Sequence, residues 1–429
     1  MAKNVFVLGV TDQQREELGT VSDADELEFH GLLDYHSLVD PDTYKFRELL
    51  DRARQQLDEF DGSVDAIIAH WDFPTSVLAP ILAAERGLPA PSLRSVLKCE
   101  HKAWSRLTQR EVIPECVPGF SMFDPFDDNP LDTIELDFPF WIKPVKSHSS
   151  QMGFEIHDAE QFASALEEVR ANIGLVGDAF DEVLATVELP DALGGSGGTS
   201  CLAEQIITGR QVAPEGTMFR GEYKIHGVFD MWTDAEGHSF DRLDYPASSV
   251  PDEVQQRMID LTERYLRHIE FDNGCFNSEF MWDETTDTLS LIEVNTRISQ
   301  SHSDLFVKVD GTSNHEVAID VALGRPPRIV PSQGKFAVAS QCHIGYYSDG
   351  LVRGVPGDDD FARLREQVPE TVVAIKVAPG DRLSELPNQD GYRTNLATLS
   401  IGADSTDELA RSFERATELL PFDIAPVQE

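Results

Sequence analysis

The sequence has little positive charge for its length. Its 429 residues contain 76 Asp and Glu against 35 Lys and Arg, which gives a formal net charge of −41 with His neutral. A surface this acidic repels anionic polymers and anionic lipids, so nucleic acid and membrane surfaces are excluded as partners. The hydrophobic fraction of 41% is ordinary, whereas a disordered chain would need a lower one. We therefore expect the acidic residues to lie on folded surfaces.

Lysine is scarce even among the basic residues. The chain has 10 Lys against 25 Arg, and its acidic excess is spread over the whole length. This pattern is typical of proteins from salt-in halophilic archaea, in which dense carboxylates keep a protein hydrated in concentrated salt. The alternative is a merely acidic cytosolic protein. A melting curve against KCl separates the two, because repulsion between unscreened carboxylates should unfold only the halophilic protein at low salt.

Cysteine and long apolar runs are scarce as well. The five cysteines are odd in number and far apart, which excludes a disulfide framework or a zinc ribbon and predicts small buried side chains. The apolar run at residues 5–10 is too short for the core of a signal peptide. No segment approaches the roughly 20 apolar residues that a membrane helix needs. These observations predict a soluble, cytoplasmic protein.

The length of the chain and the positions of its glycines and prolines predict several domains. At roughly 100 to 200 residues per domain, the chain is long enough for two to four. Apolar, strand-like runs at 5–10 and 64–70 alternate with helical patterns, which predicts a parallel sheet. Gly119 suggests a boundary, and Pro326 and Pro327 punctuate the end of a later α+β block. We predict a multidomain protein of mixed α/β and α+β class with units at 1–118, 119–208, 209–328 and 329–429.

The segment 276–297 carries the most informative pattern. Two β-like runs flank a short polar stretch, which predicts a hairpin. Side chains alternate along a strand, so Glu293, Asn295 and Arg297 share one face if the strand persists. A register that pairs residue 279 with residue 293 adds Glu279 to that face. Two carboxylates and an amide oxygen suit Mg²⁺, and the arginine adds a planar donor fork for phosphate or carboxylate. The alternative is a surface hairpin with solvated glutamates.

Upstream segments favour a nucleotide site. Lys143 lies in an apolar, strand-like run, so its ammonium group needs a partner. The loop that follows is rich in small hydroxyls and ends in glycine, and such a loop can cradle phosphate oxygens. Its candidate residues are Ser147, Ser149, Ser150 and Gly153. A further strand-like run at 201–207 leads into Gly209, a turn at which an adenine could meet backbone groups, and Lys102 heads a predicted helix.

Taken in order, these segments resemble the ATP-grasp superfamily, and specifically its carboxylate–amine ligases. The resemblance covers about 70–324. Its most specific part is the alternation of Glu293, Asn295 and Arg297, with Glu279 upstream at a suitable distance. It implies the ATP-grasp fold, with a Rossmann-like pre-ATP-grasp domain at 1–118, a small ATP-grasp subdomain at 119–208, a large subdomain with the metal site at 209–328 and a C-terminal lobe at 329–429. ATP and Mg²⁺ are the implied cofactors, with Mn²⁺ as an alternative metal.

The resemblance also implies roles for individual residues. Lys102 and Lys143 would contact the nucleotide phosphates and the adenine, and Ser147, Ser149, Ser150 and Gly153 would form the mobile phosphate loop. The adenine-contacting hinge would consist of Glu204, Gln205 and Ile207. Magnesium would be bound by Glu279, Glu293 and Asn295, and the transferred phosphate or the substrate carboxylate by the catalytic Arg297. Two departures concern the nucleotide. Gln211 stands where the family often has a ribose-binding acid, so ribose contact would run through an amide, and the phosphate loop is poor in glycine.

The implied activity is ADP-forming ligation of a carboxylate, from an amino acid or another small metabolite, to an amine through an acyl phosphate. Ser301 and His302 could line the acceptor pocket, and the alternative is a polar loop that caps the next helix. Glu215 could bind a substrate amine, although surface carboxylates are abundant in this chain.

Two other functions stay open. A carboxylase-like or purine-pathway-like enzyme of the same superfamily would activate bicarbonate or formate. A non-catalytic, nucleotide-binding regulatory protein is the second alternative, but such a protein needs no convergent pair of acids. The expected partners are small-molecule substrates, and a homodimer is the default assembly.

Overall fold

The structure, a computed structural model, describes residues 2–39, 41, 43–147, 152–233, 240–386 and 393–427. Strands and helices alternate in its first part, which comprises β1 (Lys3–Leu8), α1 (Asp12–Leu18), β2 (Leu27–Leu32), α2 (Tyr35–Val39), α3 (Phe46–Asp58), β3 (Ala66–Ala69), α4 (Thr75–Glu85), α5 (Leu93–Glu100) and α6 (Lys102–Val112). The strands form a parallel sheet in the order β2-β1-β3. The apolar residues of β1 are buried on both faces of this sheet, as parallel strands require.

The second part forms a small antiparallel sheet with two helices. Its elements are β4 (Phe120–Phe123), β5 (Phe140–Pro144), β6 (Phe154–Ile156), α7 (Ala159–Asn172), α8 (Gly174–Leu184) and β7 (Cys201–Gln205). The strand order is β4-β7-β5-β6. Side chains alternate along β5: Phe140 and Ile142 enter the core beside Phe162 of α7, whereas Trp141 and Lys143 lie on the opposite face. That opposite face is where a ligand could lie.

Within the described residues, the remaining elements form one long antiparallel sheet, a separate pair of strands and five helices. They are β8 (Arg210–Phe219), β9 (Glu222–Thr233), β10 (Phe240–Tyr245), α9 (Asp252–His268), β11 (Gly274–Asp283), β12 (Thr288–Asn295), α10 (Ser303–Asp310), α11 (Asn314–Ala322), β13 (Val338–Tyr346), β14 (Gly350–Gly354), α12 (Asp358–Gln367), β15 (Val372–Ile375), β16 (Thr394–Ala403), α13 (Thr406–Leu419) and β17 (Asp423–Pro426). The sheet order is β12-β11-β8-β9-β10-β13-β16-β15, and β14 pairs with β17. The sheet thus runs across residue 328, where we placed a domain boundary, and the four-unit division stays a prediction.

The predicted hairpin is confirmed as β11 and β12, and Glu279 pairs with Glu293 in the expected register. The expected continuation of the strand to Arg297 is wrong, because β12 ends at Asn295. Arg297 instead turns toward the N-terminal sheet, where its guanidinium binds Asp72 just after β3. An ion pair from another part of the chain therefore sets the direction of this residue.

The cysteines and the helices are the features that the scarcity of cysteine and of long apolar runs concerns. All five cysteines are free and buried, as expected of small apolar side chains. Among the described residues, no helix combines the length and the apolar character needed to span a bilayer.

Candidate active site

The β11–β12 hairpin brings two carboxylates together. Glu279 and Glu293 are directly paired across the strands, and a bulge follows Glu279. The side-chain amide of Asn295 donates to Glu279 Oε1 at 3.1 Å, and that of Gln211, on the neighbouring strand β8, donates to Oε2 at 2.9 Å. In the structure the Gln211 amide thus bonds a carboxylate of the hairpin, whereas the sequence suggested that this amide contacts the ribose. Amide donors fix the orientation of Glu279.

The two carboxylates differ in their electrostatic surroundings. Burial, followed by the negative charge of Glu293, raises the pKa of Glu279 above its ordinary value. Burial also acts to raise the pKa of Glu293, but the positive charges of Lys102 and Lys143 outweigh it and lower that pKa. Like charges in close proximity disfavour ionisation of one partner, and a bound cation would relieve that repulsion.

Three lysines converge on the same space. Lys102 Nζ, at the start of α6, lies 3.7 Å from Glu293 Oε2 and donates to the carbonyl oxygen of Ser147 at 3.3 Å. Lys146 is buried and forms an ion pair with Glu100. Burial lowers the pKa of Lys102, and the charges of Lys146 and Lys143 add to this effect against the opposing pull of Glu293. The lysines thus form a cluster of mutually repelling cations that favours an anionic ligand.

The hinge segment, which begins at the end of β7, is held by a triad of largely buried charged side chains. The carboxylate of Glu204 accepts from Arg106 of α6 and lies 2.5 Å from Lys143 Nζ. Burial acts to raise the pKa of Glu204, but the charges of Arg106 and Lys143 outweigh it and lower the pKa to about 2. Arg106 also donates to the carbonyl oxygens of Leu291 and Ile292, at 2.7 and 2.9 Å. One guanidinium therefore ties the hinge to strand β12.

These groups line one cavity of about 400 Å³ between the small sheet and the hairpin, hereafter the first cavity. Most of the candidate residues from the sequence line it, namely Lys102, Lys143, Ser147, Gly153, Glu204, Gln205, Ile207, Gln211, Glu279, Glu293 and Asn295. Ser149 and Ser150, from the same serine-rich loop, lie outside the described residues. The structure thus brings the lysines, the hinge and the acid pair together around one space.

A second cavity, of about 340 Å³, lies between the carboxyl end of β3 and the turn after β12. Asp72 lines both cavities, and Arg297 lines the second. Arg297 Nε lies 2.8 Å and Nη2 lies 2.7 Å from the same carboxylate oxygen of Asp72. Burial opposes the charge on Arg297, but Asp72 outweighs it and raises the pKa of the guanidinium. The predicted residue Ser301 also lines this second cavity.

His302 lies in neither of these two cavities. Its ring is 2% exposed, stacks on Phe229 at a centroid distance of 3.6 Å, and places Nδ1 2.6 Å from Glu215 Oε2. Glu215 is equally buried, and it also accepts from the backbone N–H of Ser299 and from the amide of Asn314. Neither His302 nor Glu215 therefore lines the first or the second cavity. Together they anchor the loop that carries Ser299 toward the second cavity.

The chain is similar in domain content and fold to known proteins. Residues 136–303 match the ATP-grasp domain family. The chain contains an ATP-grasp domain. A curated relative, uncharacterized protein y4rH of Sinorhizobium fredii (strain NBRC 101917 / NGR234), is 23% identical over 356 residues, which are 80% of this chain and 65% of the relative. The chain thus spans less than two thirds of the length of that relative.

Solved structures with the same fold cover nearly the whole chain. An L-amino acid ligase from Bacillus licheniformis has a TM-score of 0.71 at 16% identity and covers 98% of each chain. A phosphoribosylglycinamide synthetase from Anaerococcus prevotii has a TM-score of 0.63 at 13% identity, with 99% of this chain and 100% of the other covered. A biotin carboxylase from Campylobacter jejuni has a TM-score of 0.61 at 13% identity, over 98% and 92%. At these identities the likeness establishes the ATP-grasp fold.

Sequence reasoning missed four charged residues that line the first cavity, namely Asp72, Glu100, Arg106 and Lys146. A signal existed for Lys146, because it is one of only 10 lysines and lies three residues after Lys143. A signal also existed for Asp72, because it follows strand β3 and ligands of parallel sheets bind beyond the carboxyl ends of the strands. Arg106 gave no local signal, because its partners are distant in sequence.

The acid pair of the hairpin fits a magnesium ion in its donor chemistry. Glu279, Glu293 and Asn295 supply oxygen donors, and Mg²⁺ uses one or two carboxylates together with substrate phosphates. Among the described residues, no three His, Cys, Asp or Glu side chains group as a metal cage. A pair of carboxylates beside an amide and an open cavity is the arrangement expected where a ligand completes the coordination.

Proposed function

We propose that this protein is an ADP-forming, ATP-dependent ligase that joins a carboxylate to an amine through an acyl phosphate. The observation that carries the proposal is the first cavity, in which the facing carboxylates Glu279 and Glu293 oppose the lysine cluster of Lys102, Lys143 and Lys146. A triphosphate that carries a metal ion satisfies both halves of this arrangement. The ATP-grasp domain supports the same class, and the printed names of its structural neighbours include an L-amino acid ligase.

The chemistry follows from the poor reactivity of a carboxylate, whose leaving group in direct substitution would be oxide. A carboxylate oxygen attacks the γ-phosphorus of ATP, the bond to the β–γ bridging oxygen breaks, and ADP leaves. The resulting acyl phosphate is attacked at its carbonyl carbon by the amine nitrogen. The tetrahedral intermediate loses a proton from nitrogen, its bond to the phosphate oxygen breaks, and inorganic phosphate leaves. Such phosphoryl transfer needs positioning and charge neutralisation more than covalent help from the protein.

The lysine cluster supplies that neutralisation. At about 4 Å and an effective dielectric constant near 20, one favourable charge pair has a Coulomb energy of roughly 4 kcal/mol before desolvation is subtracted. Lys102 and Lys146 are largely buried, so a phosphate that enters the first cavity meets cations that water screens little. In a protein of net charge −41, this local positive region offsets the long-range repulsion of an anionic nucleotide.

In this proposal, Glu279, Glu293 and Asn295 hold Mg²⁺, or Mn²⁺ in its place. A bound divalent ion supplies charge neutralisation to the β- and γ-phosphates. The amides of Gln211 and Asn295 keep the Glu279 carboxylate in position for this task. Arg297 lies where the two cavities approach each other, so we assign it to the transferred phosphate or to the substrate carboxylate.

The hinge would contact the adenine through Gln205 and Ile207, which line the first cavity. The Glu204 carboxylate is already bonded to Arg106 and Lys143, so its role is to position Lys143 and the hinge. Ser147 and Gly153 border the phosphate side of the same cavity.

Two alternatives remain as second candidates. A bicarbonate- or formate-activating enzyme is favoured by the likeness to a biotin carboxylase, but the second cavity is larger than such an acid needs. A nucleotide-binding regulator without turnover is disfavoured by the facing carboxylates, since holding them together without a cation costs free energy.

We further propose a cytoplasmic enzyme that acts on a small carboxylate and a small amine and binds neither nucleic acid nor membranes. Homodimer formation and halophilic adaptation belong to the same proposal. Size-exclusion chromatography in concentrated KCl tests the assembly.

The test of the activity is ATP turnover with a panel of carboxylic acids, with hydroxylamine as the trapping nucleophile. We expect ADP and phosphate to form only with a suitable acid, and a hydroxamate to accumulate in equal amount. Glu293→Ala should lower ADP formation at least about 100-fold without loss of the fold. Glu414→Ala, on the exposed face of α13, is the matched control and should leave turnover unchanged.

Phosphate release without hydroxamate for every acid would contradict the ligase and indicate a kinase or a simple ATPase. Turnover unchanged in Glu293→Ala would contradict the metal assignment.

A further inference from the structure

The second cavity differs from the first in what surrounds it. One wall consists of apolar and aromatic side chains from the N-terminal sheet and its helices, among them Tyr35, Leu38, Trp71 and Phe73. Leu38 and Phe73 are 1% and 2% exposed, whereas Tyr35 stands at the rim with 37% exposure. The rings of Tyr35 and Trp71 meet edge to face at a centroid distance of 5.0 Å. This wall offers an apolar surface that a phosphate group would not use.

The orientation of the wall is fixed from outside the cavity. The indole nitrogen of Trp71 donates to the carbonyl oxygen of Gly9 at 3.0 Å, which ties the ring to the end of β1. Gln300 donates to the carbonyl oxygen of His70 at 2.9 Å, which ties the turn after β12 to the end of β3. The cavity is therefore preorganised between two anchored segments, a condition that favours binding of a specific ligand.

The opposite end of the cavity is polar. Arg297 and Asp72 lie there as an ion pair, and the hydroxyls of Ser299 and Ser301 lie 2.8 Å apart beside them. His70 also lines the cavity, is 1% exposed, and has no hydrogen-bond partner for either ring nitrogen within the described part of the chain. Unpaired buried polar atoms are costly, so a ligand that pairs with His70 would be stabilised by it.

Burial lowers the pKa of His70 well below its ordinary value, and the charges of His315 and Arg297 add to that effect. The ring is therefore neutral near pH 7 and offers one N–H donor and one nitrogen acceptor.

From this arrangement we infer that the second cavity selects the carboxylic acid of the ligation and that this acid carries a bulky apolar or aromatic side group. The inference rests on the proposed ligase function. The carboxylate of the acid lies toward Arg297, next to the first cavity, and the side group packs against Tyr35, Trp71 and Phe73. His70 receives a second polar group of the acid, such as an amino or hydroxyl substituent.

The size of the cavity agrees with this class. Small-molecule sites span roughly 300–1,000 Å³, and about 340 Å³ lies at the lower end of that range. Bicarbonate or formate would leave most of the apolar wall in contact with water, whereas a single ring with a short acid chain would cover it. The wall therefore favours a monocyclic or branched acid over a one-carbon acid.

The experiment compares matched acids in the hydroxamate assay with the full-length protein. The panel consists of phenylacetate and L-phenylalanine, their truncated counterparts acetate and glycine, and bicarbonate and formate. We expect kcat/KM to be at least about tenfold higher for the aromatic acids than for their truncated counterparts, because a pocket discriminates a few methylene-sized groups by that much. A preference for acetate, glycine, bicarbonate or formate would overturn the inference and leave the ligase function standing. If no acid of any class yields ADP, the proposed function itself fails.

Variants locate the selectivity. Tyr35→Ala should lower kcat/KM for phenylacetate about five- to tenfold with no change for acetate or in the KM for ATP. Val39→Trp, which fills part of the same cavity, should reverse the preference toward acetate, a shift that mere destabilisation would not produce. His70→Phe should weaken L-phenylalanine relative to phenylacetate, because only the former has an amino group to bind. Tyr347→Ala, at an exposed tyrosine that lines neither cavity, is the control. Equal losses for all acids in Tyr35→Ala and unchanged preference in Val39→Trp would contradict the inference.

Discussion

The two cavities lie on either side of Asp72 and differ in the positive charge that they gather. The first cavity gathers Lys102, Lys143 and Lys146, three of the 10 lysines in a chain of net charge −41. The second cavity has an apolar wall and a single ion pair at its polar end. Positive charge is therefore concentrated where a phosphate would react, whereas the second cavity offers its apolar wall to an organic group.

The difference teaches how one fold can keep its chemistry and vary its substrate. The first cavity depends on charged groups whose positions are fixed by strands β5 and β12 and by helix α6. The second is formed largely by the segment around α2 and by residues that follow β3. Connecting segments accept substitution more readily than strands do, so changes in the second cavity should alter specificity without loss of phosphoryl transfer.

The largest effect is expected where the first cavity depends on buried charge. Glu204→Gln leaves Lys143 without its carboxylate partner in a buried setting and should lower the free energy of unfolding by about 3 kcal/mol at pH 7. The pKa of Glu204 is about 2 in the folded protein and roughly 4.3 in an unfolded chain. Its stabilisation is therefore present above about pH 4.3 and is lost as the pH falls through the folded value. Urea unfolding from pH 7 downward should show the difference from wild type shrinking in that window.

The matched control comes from the second cavity. Leu38→Ala removes apolar packing and should lower the free energy of unfolding by about 2 to 5 kcal/mol at every pH in the series. A loss in Glu204→Gln that did not change with pH would indicate packing, and the assignment of the triad as electrostatic would be wrong.

Lys143→Met comes next and separates the cavities by function. It removes a cation from the first cavity while keeping an apolar stem of similar length, so kcat/KM for ATP should fall about 100-fold. The relative preference among carboxylic acids should stay unchanged, because the second cavity is untouched. Lys376→Met, at an exposed lysine, is the control and should match wild type. An altered acid preference in Lys143→Met would show that the two cavities are not independent.

Arg297→Lys should act on both cavities with a smaller effect. A lysine keeps the positive charge beside Asp72 but loses the planar fork that binds two oxygens at once. We expect kcat/KM for the acid to fall about tenfold and the KM for ATP to change little, as steady-state kinetics with each substrate varied would measure. A rise confined to the KM for ATP would place Arg297 on the nucleotide alone.

The sequence predicted one cavity well and the other poorly, for a physical reason. Glu279, Glu293 and Asn295 lie on a local hairpin whose alternation and register follow from a period of two, and Lys143 stands out against an apolar strand. The second cavity is assembled from side chains about 230 residues apart, such as Trp71 and Ser301, and no local sequence pattern indicates that they come together. The burial of His302 was not predictable for the same reason, because its partner Glu215 lies on a distant strand.

Salt should produce the smallest effect and distinguish the cavities without any mutation. Between moderate and high KCl the Debye length falls to about 3 Å, which screens the long-range repulsion between a protein of net charge −41 and an anionic nucleotide. The buried lysine cluster is screened much less, so the KM for ATP should fall a few-fold. Apolar contact strengthens or stays constant under the same conditions, so the KM for phenylacetate should change less. Stability should rise under the same conditions, since screening relieves repulsion among the 76 carboxylates and raises the melting temperature. A melting temperature independent of KCl would refute the halophilic adaptation, and equal salt dependence of the two KM values would refute the division between a charged and an apolar cavity.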